Sequence, residues 1–345
     1  QYVIFCRIHI FKEKVDMPKL LFSLLFLASC AAFCNEYARV DQKVREYPAF
    51  KKIHDLGYRI QNDFSSDQER VRAAFVWLTQ NMIYEKTYDD IFRTGQRITY
   101  RSESGRKSQI RRVALEWAEK AFLMRKGVCL EYSLILNELC LQFGLPSKVI
   151  VGVAKTDIRF IKGEQSFKNH TWNAVQLDGI WKLMDPTWAS GHLDLASKRF
   201  IRKQIDHYYF TKPEEFIKHH YPTNPEWQLL DDPVDIEQFF SAPIYLTEFF
   251  GKGIELSPKT KGILSISSKD ANYIYFDQLP REHGMYYLVH GEGEFRRMGF
   301  KKGKDKSYIS KIRLNKKLHK KHDLLTVFLE DKPILNFKIS EKTNH

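Results

Sequence analysis

The segment KGVCLEYS at residues 126–133 decides the fold, because it places a cysteine where a loop runs into a helix. Residues 130–140 continue with helical periodicity and contain no helix breaker. A cysteine at a helix N-terminus faces the positive end of the helix dipole and unpaired N–H groups, which lower the pKa of the thiol. Gly127 allows the close backbone approach that this turn requires. We therefore predict a nucleophilic thiolate at Cys129, with its own N–H directed at a developing oxyanion.

A histidine and an aspartate flank a predicted β-hairpin downstream of this helix. NHTWNAV (169–175) begins one strand, LMDPTW (183–188) ends the next, and Asp178-Gly179 is a two-residue turn signal. His170 lies 8 residues before this turn and Asp185 lies 6 residues after it, so both are near the same end of the hairpin. His170 can accept the thiol proton, and Asp185 can fix the imidazole tautomer.

Each of these three residues also has a purely structural interpretation. A lone cysteine or histidine of this kind is more often a core residue, and an Asp-Pro pair is a common turn. The order Cys129, His170, Asp185, with spacings that bring the side chains together, favours a catalytic triad. Cys140 follows Cys129 by 11 residues on one predicted helix. A separation of roughly 16 Å is too long for a disulfide, so we expect two free thiols.

The first residues are typical of a targeting signal. The tripeptide Met-Pro-Lys at 17–19 precedes an uncharged apolar stretch at 20–33, which is short for a membrane span. Leu-Ala-Ser-Cys, ending at Cys30, also resembles a bacterial lipobox. Lipidation at Cys30 and ordinary cleavage near residues 31–34 both remain open. We expect the chain to be exported, to the periplasm, the cell surface or the medium.

The hydrophobic fraction of 43% and aromatic fraction of 14% are enough for two folded cores. We predict an α+β chain with a leader at 1–34 (1–16 an over-extended start, 17–34 a signal peptide), a first domain at 35–248 that contains the cysteine helix and the hairpin, and an all-β, sandwich-like or Ig-like domain at 249–345. Within these parts we predict helices in 36–86 and at Val113–Met124, a loop at 93–112, an irregular segment at 200–248, and strands at Lys148–Val153, Trp172–Leu177, Ile180–Met184, Ile263–Ser267, Tyr273–Phe276, Met285–Val289, Leu325–Leu329 and Ile334–Ile339, with Asp331-Lys332 at the tip of the last hairpin.

Most of the net charge of +13 lies in one segment. Arg296–His322 carries twelve Lys and Arg against one acid, Asp305. Such a run can bind an anionic surface, although a solvated face of a β-domain is the commoner explanation. No nucleic-acid recognition motif accompanies the run, so we expect no nucleic acid among the partners.

Three motifs resemble those of the transglutaminase-like superfamily, and in particular the subgroup that contains the kyphoscoliosis peptidase and bacterial exported proteins. They are GVC at 127–129, HTWN at 170–173 and DPTW at 185–188. The resemblance extends to VWLTQNMIY at 76–84, to residues 206–210 and 213–214, and to WQLL at 227–230. It covers about residues 40–245 in all.

The resemblance implies a thiol nucleophile at Cys129, a base at His170 and an orienting carboxylate at Asp185. It also implies that residues 35–248 form a papain-like, transglutaminase-like domain, with a cysteine helix packed on an antiparallel sheet that carries the other two residues. Two positions depart from the family pattern: Glu131 replaces a small residue and Thr171 replaces alanine. Because Glu131 is a negative charge near the thiol, it is expected to raise the pKa of Cys129.

We therefore expect a cysteine-dependent peptidase or amidase that acts through an acyl-enzyme on a peptide, protein or cell-wall-type amide. Hydrolysis, transglutamination and deamidation share this triad, and hydrolysis is the simplest. We expect no cofactor and no metal. Calcium-dependent cross-linking is disfavoured, because no acidic loop has the spacing of a calcium site. The second oxyanion donor is open, with Trp77 and Trp117 as candidates. The alternative is a non-enzymatic transglutaminase-like scaffold that docks on a surface or a protein partner through its β-domain.

Overall fold

The fold is given by a computed structural model. It describes residues 37–85, 102–162, 169–194, 197, 199–266, 271–280, 284–314 and 323–341. The chain divides into two units, Gln1–Pro48 and Ala49–His345. The first contains a helix over residues 37–45. The predicted leader at 1–34, including Cys30, lies outside the described residues.

The other α-helices of the described residues lie in the second unit. They are α1 (Ile53–Asp63), α2 (Asp67–Asn81), α3 (Glu103–Met124), α4 (Cys129–Gln142), α5 (Pro186–Ser190), α6 (Pro213–Phe216) and α7 (Ile236–Ser241). A capping box starts α2: the Ser66 hydroxyl accepts from the Glu69 N–H at 3.3 Å, and the Glu69 carboxylate accepts from the Ser66 N–H at 3.3 Å. Such a cap contributes about 1 kcal/mol.

The start of α3 corrects a prediction. Residues 103–112, which we expected to be a loop, form the first half of this helix. The Ser102 hydroxyl caps it by accepting from the Gly105 N–H at 3.1 Å. Its polar residues are not loop residues but a solvated helix face. Exposed pairs such as Arg106 with Glu103, at 2.7 Å, support that face.

A four-stranded antiparallel sheet lies beside α4. Its order is β5-β4-β3-β8, formed by β3 (Ser147–Ala154), β4 (His170–Leu177), β5 (Ile180–Met184) and β8 (His220–Pro222). Asp178 and Gly179 join β4 to β5 with φ values of +50° and +78°, as a type I′ hairpin turn requires. Helix α4 packs on β3 and β4. The predicted cysteine helix on an antiparallel sheet is therefore confirmed.

Shorter strands complete this region. They are β1 (Ile83–Tyr84), which pairs in parallel with β2 (Lys126–Gly127), and β6 (Gly191–Asp194), which pairs with β7 (Arg199–Arg202).

The remaining strands form two further sheets. One has the order β10-β12-β16-β15, from β10 (Glu255–Leu256), β12 (Asn272–Gln278), β15 (Phe300–Lys302) and β16 (Tyr308–Ile312). The other has the order β11-β18-β17-β13-β14, from β11 (Ile263–Ser265), β13 (Met285–Val289), β14 (Phe295–Arg297), β17 (Leu324–Leu329) and β18 (Lys332–Ser340). Side chains from both sheets, including Ile274, Phe276, Val327 and Phe337, share one hydrophobic core, so the arrangement is sandwich-like.

Two further details differ from the sequence-based expectations, and a third observation concerns the predicted domain boundary. Strand β14 overlaps the start of the basic run and β15 and β16 lie inside it, where exposed lysines and arginines hide the alternation of a strand. The turn of the last hairpin is formed by Glu330 and Asp331, since Lys332 already pairs with Leu329. Strand β9 (Ile244–Tyr245) pairs with β18, so the end of the predicted first domain joins the second sheet. The boundary at 248 stays a prediction.

No helix in the described part of the chain is long and apolar enough to cross a membrane.

Candidate active site

Cys129 is the first residue of α4, as predicted from the sequence. The Glu131 carboxylate accepts from the N–H of the preceding residue, Val128, at 3.0 Å and so closes the start of the helix. A side chain at Gly127 would place its Cβ 2.8 Å from the Glu131 Cβ, so this turn requires glycine. Among the described cysteines, Cys129 and Cys140 are both free, as expected.

Side chains of strand β4 are hydrogen-bonded to the first turn of α4. The Ser133 hydroxyl donates to the Thr171 hydroxyl oxygen at 3.3 Å, and the Asn173 amide donates to the Ser133 carbonyl at 2.9 Å. Ser133 lies one helical turn after Cys129, so these two contacts fix the end of the helix that carries the thiol.

His170 and Asp185 meet as the hairpin predicted. His170 is the first residue of β4, and its Nε2 lies 2.7 Å from the Asp185 Oδ2. Both side chains are buried, with exposed fractions of 7% and 0%. Asp185 follows β5 directly and caps α5.

The carboxylate of Asp185 accepts four hydrogen bonds. Its Oδ1 accepts from the backbone N–H groups of Thr187 at 2.8 Å and Trp188 at 3.1 Å. Its Oδ2 lies 2.7 Å from Nε2 of His170 and 3.0 Å from Nε2 of His220. Burial alone would raise the pKa of Asp185, but the charge and hydrogen bonds of His170 and His220 lower it well below its usual range. Asp185 is therefore ionised at neutral pH.

The same electrostatics activate the thiol. Burial alone would lower the pKa of His170, but the charge and hydrogen bond of Asp185 raise it to about 10. Burial would also raise the pKa of Cys129, but interactions with His170 and with Thr171 outweigh it, and this pKa is lowered. The two shifts act together, because each charge of the thiolate–imidazolium pair favours the other. The pKa of Cys129 is lowered overall. An increase of this pKa by the negative charge of Glu131, as expected from the sequence, is therefore outweighed.

The sequence did not single out His220. It lies on β8, whose partner is β3, and it reaches Asp185 from 35 residues further along the chain. The only local signal was the pair His219-His220 after an aromatic-rich segment.

Ligand atoms of His170, Asp185 and His220 lie within 4.8 Å of one another, which is a spacing that a metal site can have. The hydrogen bonds between them already explain the cluster. Trp77, a candidate oxyanion donor, is stacked on Phe122 with ring centroids 4.8 Å apart. The donor roles of Trp77 and Trp117 stay predictions.

An α+β core with a cysteine at a helix start and a His–Asp pair on the adjoining sheet defines the cysteine-peptidase-like class of folds. Within that class, residues 55–186 match the family model of the transglutaminase-like superfamily. This region of the chain is thus similar to the transglutaminase-like superfamily, as its motifs indicated.

Two curated relatives are similar over most of the chain. It is 27% identical to the kyphoscoliosis peptidase of Mus musculus over 237 residues, which are 68% of this chain and 33% of that protein. It is 26% identical to hillarin of Drosophila melanogaster over 230 residues, which are 61% of this chain and 25% of hillarin. The chain therefore spans a quarter to a third of the length of these relatives.

One solved structure, described as that of a TGase, is 17% identical to this chain. It aligns with 39% of this chain and 30% of its own, with a TM-score of 0.26.

Proposed function

We propose that this chain is a cysteine-dependent acyl-transfer enzyme that hydrolyses peptide or amide bonds. Cys129 is the nucleophile, His170 the general base and acid, and Asp185 the residue that orients His170. The observation that carries the proposal is the buried His170–Asp185 pair at 2.7 Å, together with a Cys129 pKa that His170 lowers. The names of the kyphoscoliosis peptidase relatives add support for peptide-bond chemistry.

The chemistry proceeds in two halves. The Cys129 thiolate attacks the substrate carbonyl carbon, and a C–S bond forms while the carbonyl π electrons move to the oxygen. The intermediate collapses, the C–N bond breaks, and the His170 imidazolium gives its proton to the leaving amine. Neutral His170 then takes a proton from water, the hydroxide attacks the thioester, and the acid leaves as the C–S bond breaks. The start of α4 offers backbone N–H groups to the oxyanion in both halves.

Proteins or peptides are the substrates that we propose, with cell-wall-type amides as the second class. Export by the predicted leader belongs to the same proposal.

A scaffold without catalysis is the second candidate. One observation favours it: strands β14 to β16 and the turns between them carry several exposed lysine and arginine side chains. They are Arg297, Lys301, Lys302, Lys304, Lys306, Lys311 and Arg313. An anionic surface is the partner that such a patch would bind.

Alkylation of Cys129 by iodoacetamide separates the two candidates. The rate is measured from pH 4 to 10 on the wild type and on Cys129→Ser, with Cys140→Ser as the matched control. An active site predicts rapid alkylation of Cys129 well below its ordinary pKa of 9.0. Cys140 is fully buried and its pKa is raised to about 12 by burial, so it stays unreactive. A rate that follows an ordinary thiol favours the scaffold.

Cleavage of a peptide library by the wild type, with loss in Cys129→Ser, then tests hydrolysis itself. Cleavage that survives in Cys129→Ser overturns the role of this residue.

A further inference from the structure

A second imidazole contacts the carboxylate of the proposed triad. His220 is the first residue of β8, and its side chain is fully buried. Its Nε2 lies 3.0 Å from the Asp185 Oδ2, the same oxygen that lies 2.7 Å from Nε2 of His170. The reaction proposed above assigns no task to this residue.

Aromatic rings hold His220 in one orientation. Its ring stacks on Phe216 with centroids 4.4 Å apart and lies 4.5 Å from the ring of Trp188 and 4.9 Å from that of Trp172. A ring packed on three sides cannot turn away from Asp185 without moving the core.

Two more histidines extend the contact. The Nδ1 of His220 is hydrogen-bonded to the Nδ1 of His219, and the Nε2 of His219 lies 3.1 Å from the Nε2 of His207. The Nδ1 of His207 lies 3.8 Å from the Glu215 carboxylate. The chain of rings therefore runs from the buried carboxylate toward a partly exposed one.

The ionised carboxylate determines where the protons lie. Because the Asp185 carboxylate can only accept, His220 donates through Nε2–H and accepts through Nδ1. His219 must then donate through Nδ1–H, and His207 donates through Nε2–H to His219. Burial lowers the pKa of His220 and of His207 to about 4, so both rings are neutral at pH 7.

We propose that His220 is a positioning residue of the active site, a neutral hydrogen-bond donor that shares the charge of Asp185 and so weakens the hold of Asp185 on the His170 proton. The carboxylate is already oriented through Oδ1, by the N–H groups of Thr187 and Trp188. Loss of His220 therefore leaves its orientation in place and changes its charge distribution. This inference rests on the proposed function of His170 and Asp185.

The effect matters for the second task of His170. An imidazolium that is held too tightly is a weak acid toward the leaving amine. A neutral donor on the same oxygen lowers that hold without removing the ion pair. Around His170 the titratable groups are Cys129, Asp185 and His220, and around His220 they are Asp185, His170, His219 and Tyr208.

Two variants test the proposal. His220→Leu removes the donor and keeps an apolar side chain, whereas His220→Gln keeps an N–H that can reach Asp185. The pKa of His170 is measured by NMR on histidine-labelled protein, and the pH profile of iodoacetamide alkylation is measured on the same samples. In His220→Leu we expect the His170 pKa to rise and the thiolate limb of the profile to move to lower pH, each by about one unit. In His220→Gln both return toward the wild type.

A role in packing alone would lower the melting temperature of His220→Leu and leave both titrations unmoved, which overturns the proposal. If that variant does not fold, the wild type decides the question. Its ¹⁵N shifts must show His220 as the neutral Nε2–H tautomer from pH 5 to 9, and a charged ring or an Nδ1–H tautomer overturns the proposal. An ordinary thiol titration in the wild type would instead overturn the proposed function, so the two failures are distinguishable.

Discussion

Asp185→Asn is the most informative single substitution, because it removes the charge of this side chain and keeps its shape. The amide oxygen can still accept from the N–H groups of Thr187 and Trp188, so the start of α5 is preserved. The amide N–H₂ then faces His170 and forces its Nε2 to become an acceptor. The proton of His170 moves to the ring nitrogen that the thiol needs as its base.

The size of the effect follows from the two titrations. The His170 pKa of about 10 returns to its ordinary 6.5 or below, which is 10 minus 6.5, or about 3.5 units. That corresponds to roughly 5 kcal/mol for the buried charge pair. Without an imidazolium, the interactions with His170 that lower the pKa of Cys129 are weakened, and burial raises this pKa. Because the thiolate fraction below the pKa changes about tenfold for each unit of pKa, we expect alkylation at pH 6 to slow by at least about tenfold.

The assay is the iodoacetamide rate at pH 6 and at pH 10, with Asp178→Asn as the matched control. Asp178 is exposed at the hairpin turn, where Asn-Gly is equally suited. The rate of Asp185→Asn should rise steeply between pH 6 and pH 10, because hydroxide ionises an increasing fraction of the thiol. An unchanged rate at pH 6 would refute the ion-pair reasoning, and an equal loss at both pH values would point to a damaged fold.

Three further substitutions have defined outcomes. Thr171→Val removes a hydroxyl that lowers the pKa of Cys129, so the alkylation midpoint should rise by about one unit, and Thr171→Ser should restore it; an unmoved midpoint contradicts that contact. Lys155→Met removes the donor of three backbone carbonyl oxygens that lie 2.7 to 3.2 Å from the Lys155 Nζ. We expect the free energy of unfolding in urea to fall by about 2–4 kcal/mol while the alkylation rate is retained, and an unchanged unfolding midpoint would refute this. Gly127→Ala places a Cβ 2.8 Å from that of Glu131 and should slow alkylation about tenfold, whereas Gly299→Ala, where nothing lies within 4 Å, should have no effect; equal behaviour of the two variants would count against the tight turn.

The sequence predicted the parts of the fold that depend on local signals. The helix at Cys129 and the turn at Asp178-Gly179 each carry their cause within four residues. The first half of α3 and strands β14 to β16 were missed, because charged side chains on a solvated face give no apolar period to detect. Tertiary contacts, rather than propensity, stabilise those elements.

The same distinction between local signals and tertiary contacts holds for the residues of the site. His170 and Asp185 are 15 residues apart on one hairpin, so counting from the turn was enough to bring them together. His220 reaches the same carboxylate from a different strand, and its neighbour in the sheet is β3 rather than β4. A single sequence contains no signal for the order in which an edge strand joins a sheet.

The Asp185 side chain has both a structural and a chemical role. Loss of activity in a variant of Asp185 therefore does not by itself show which role was lost. Its Oδ1 caps α5, while its Oδ2 serves two imidazoles. Asp185→Ala would abolish the cap and the charge together, so an inactive variant would not distinguish a lost orienting carboxylate from a displaced helix. Asparagine keeps the first function and removes the second, and His220→Leu leaves both in place while it changes how the charge is shared. Only the pair of variants, read by the titration of the same thiol, separates the orientation of His170 from the tuning of its acidity.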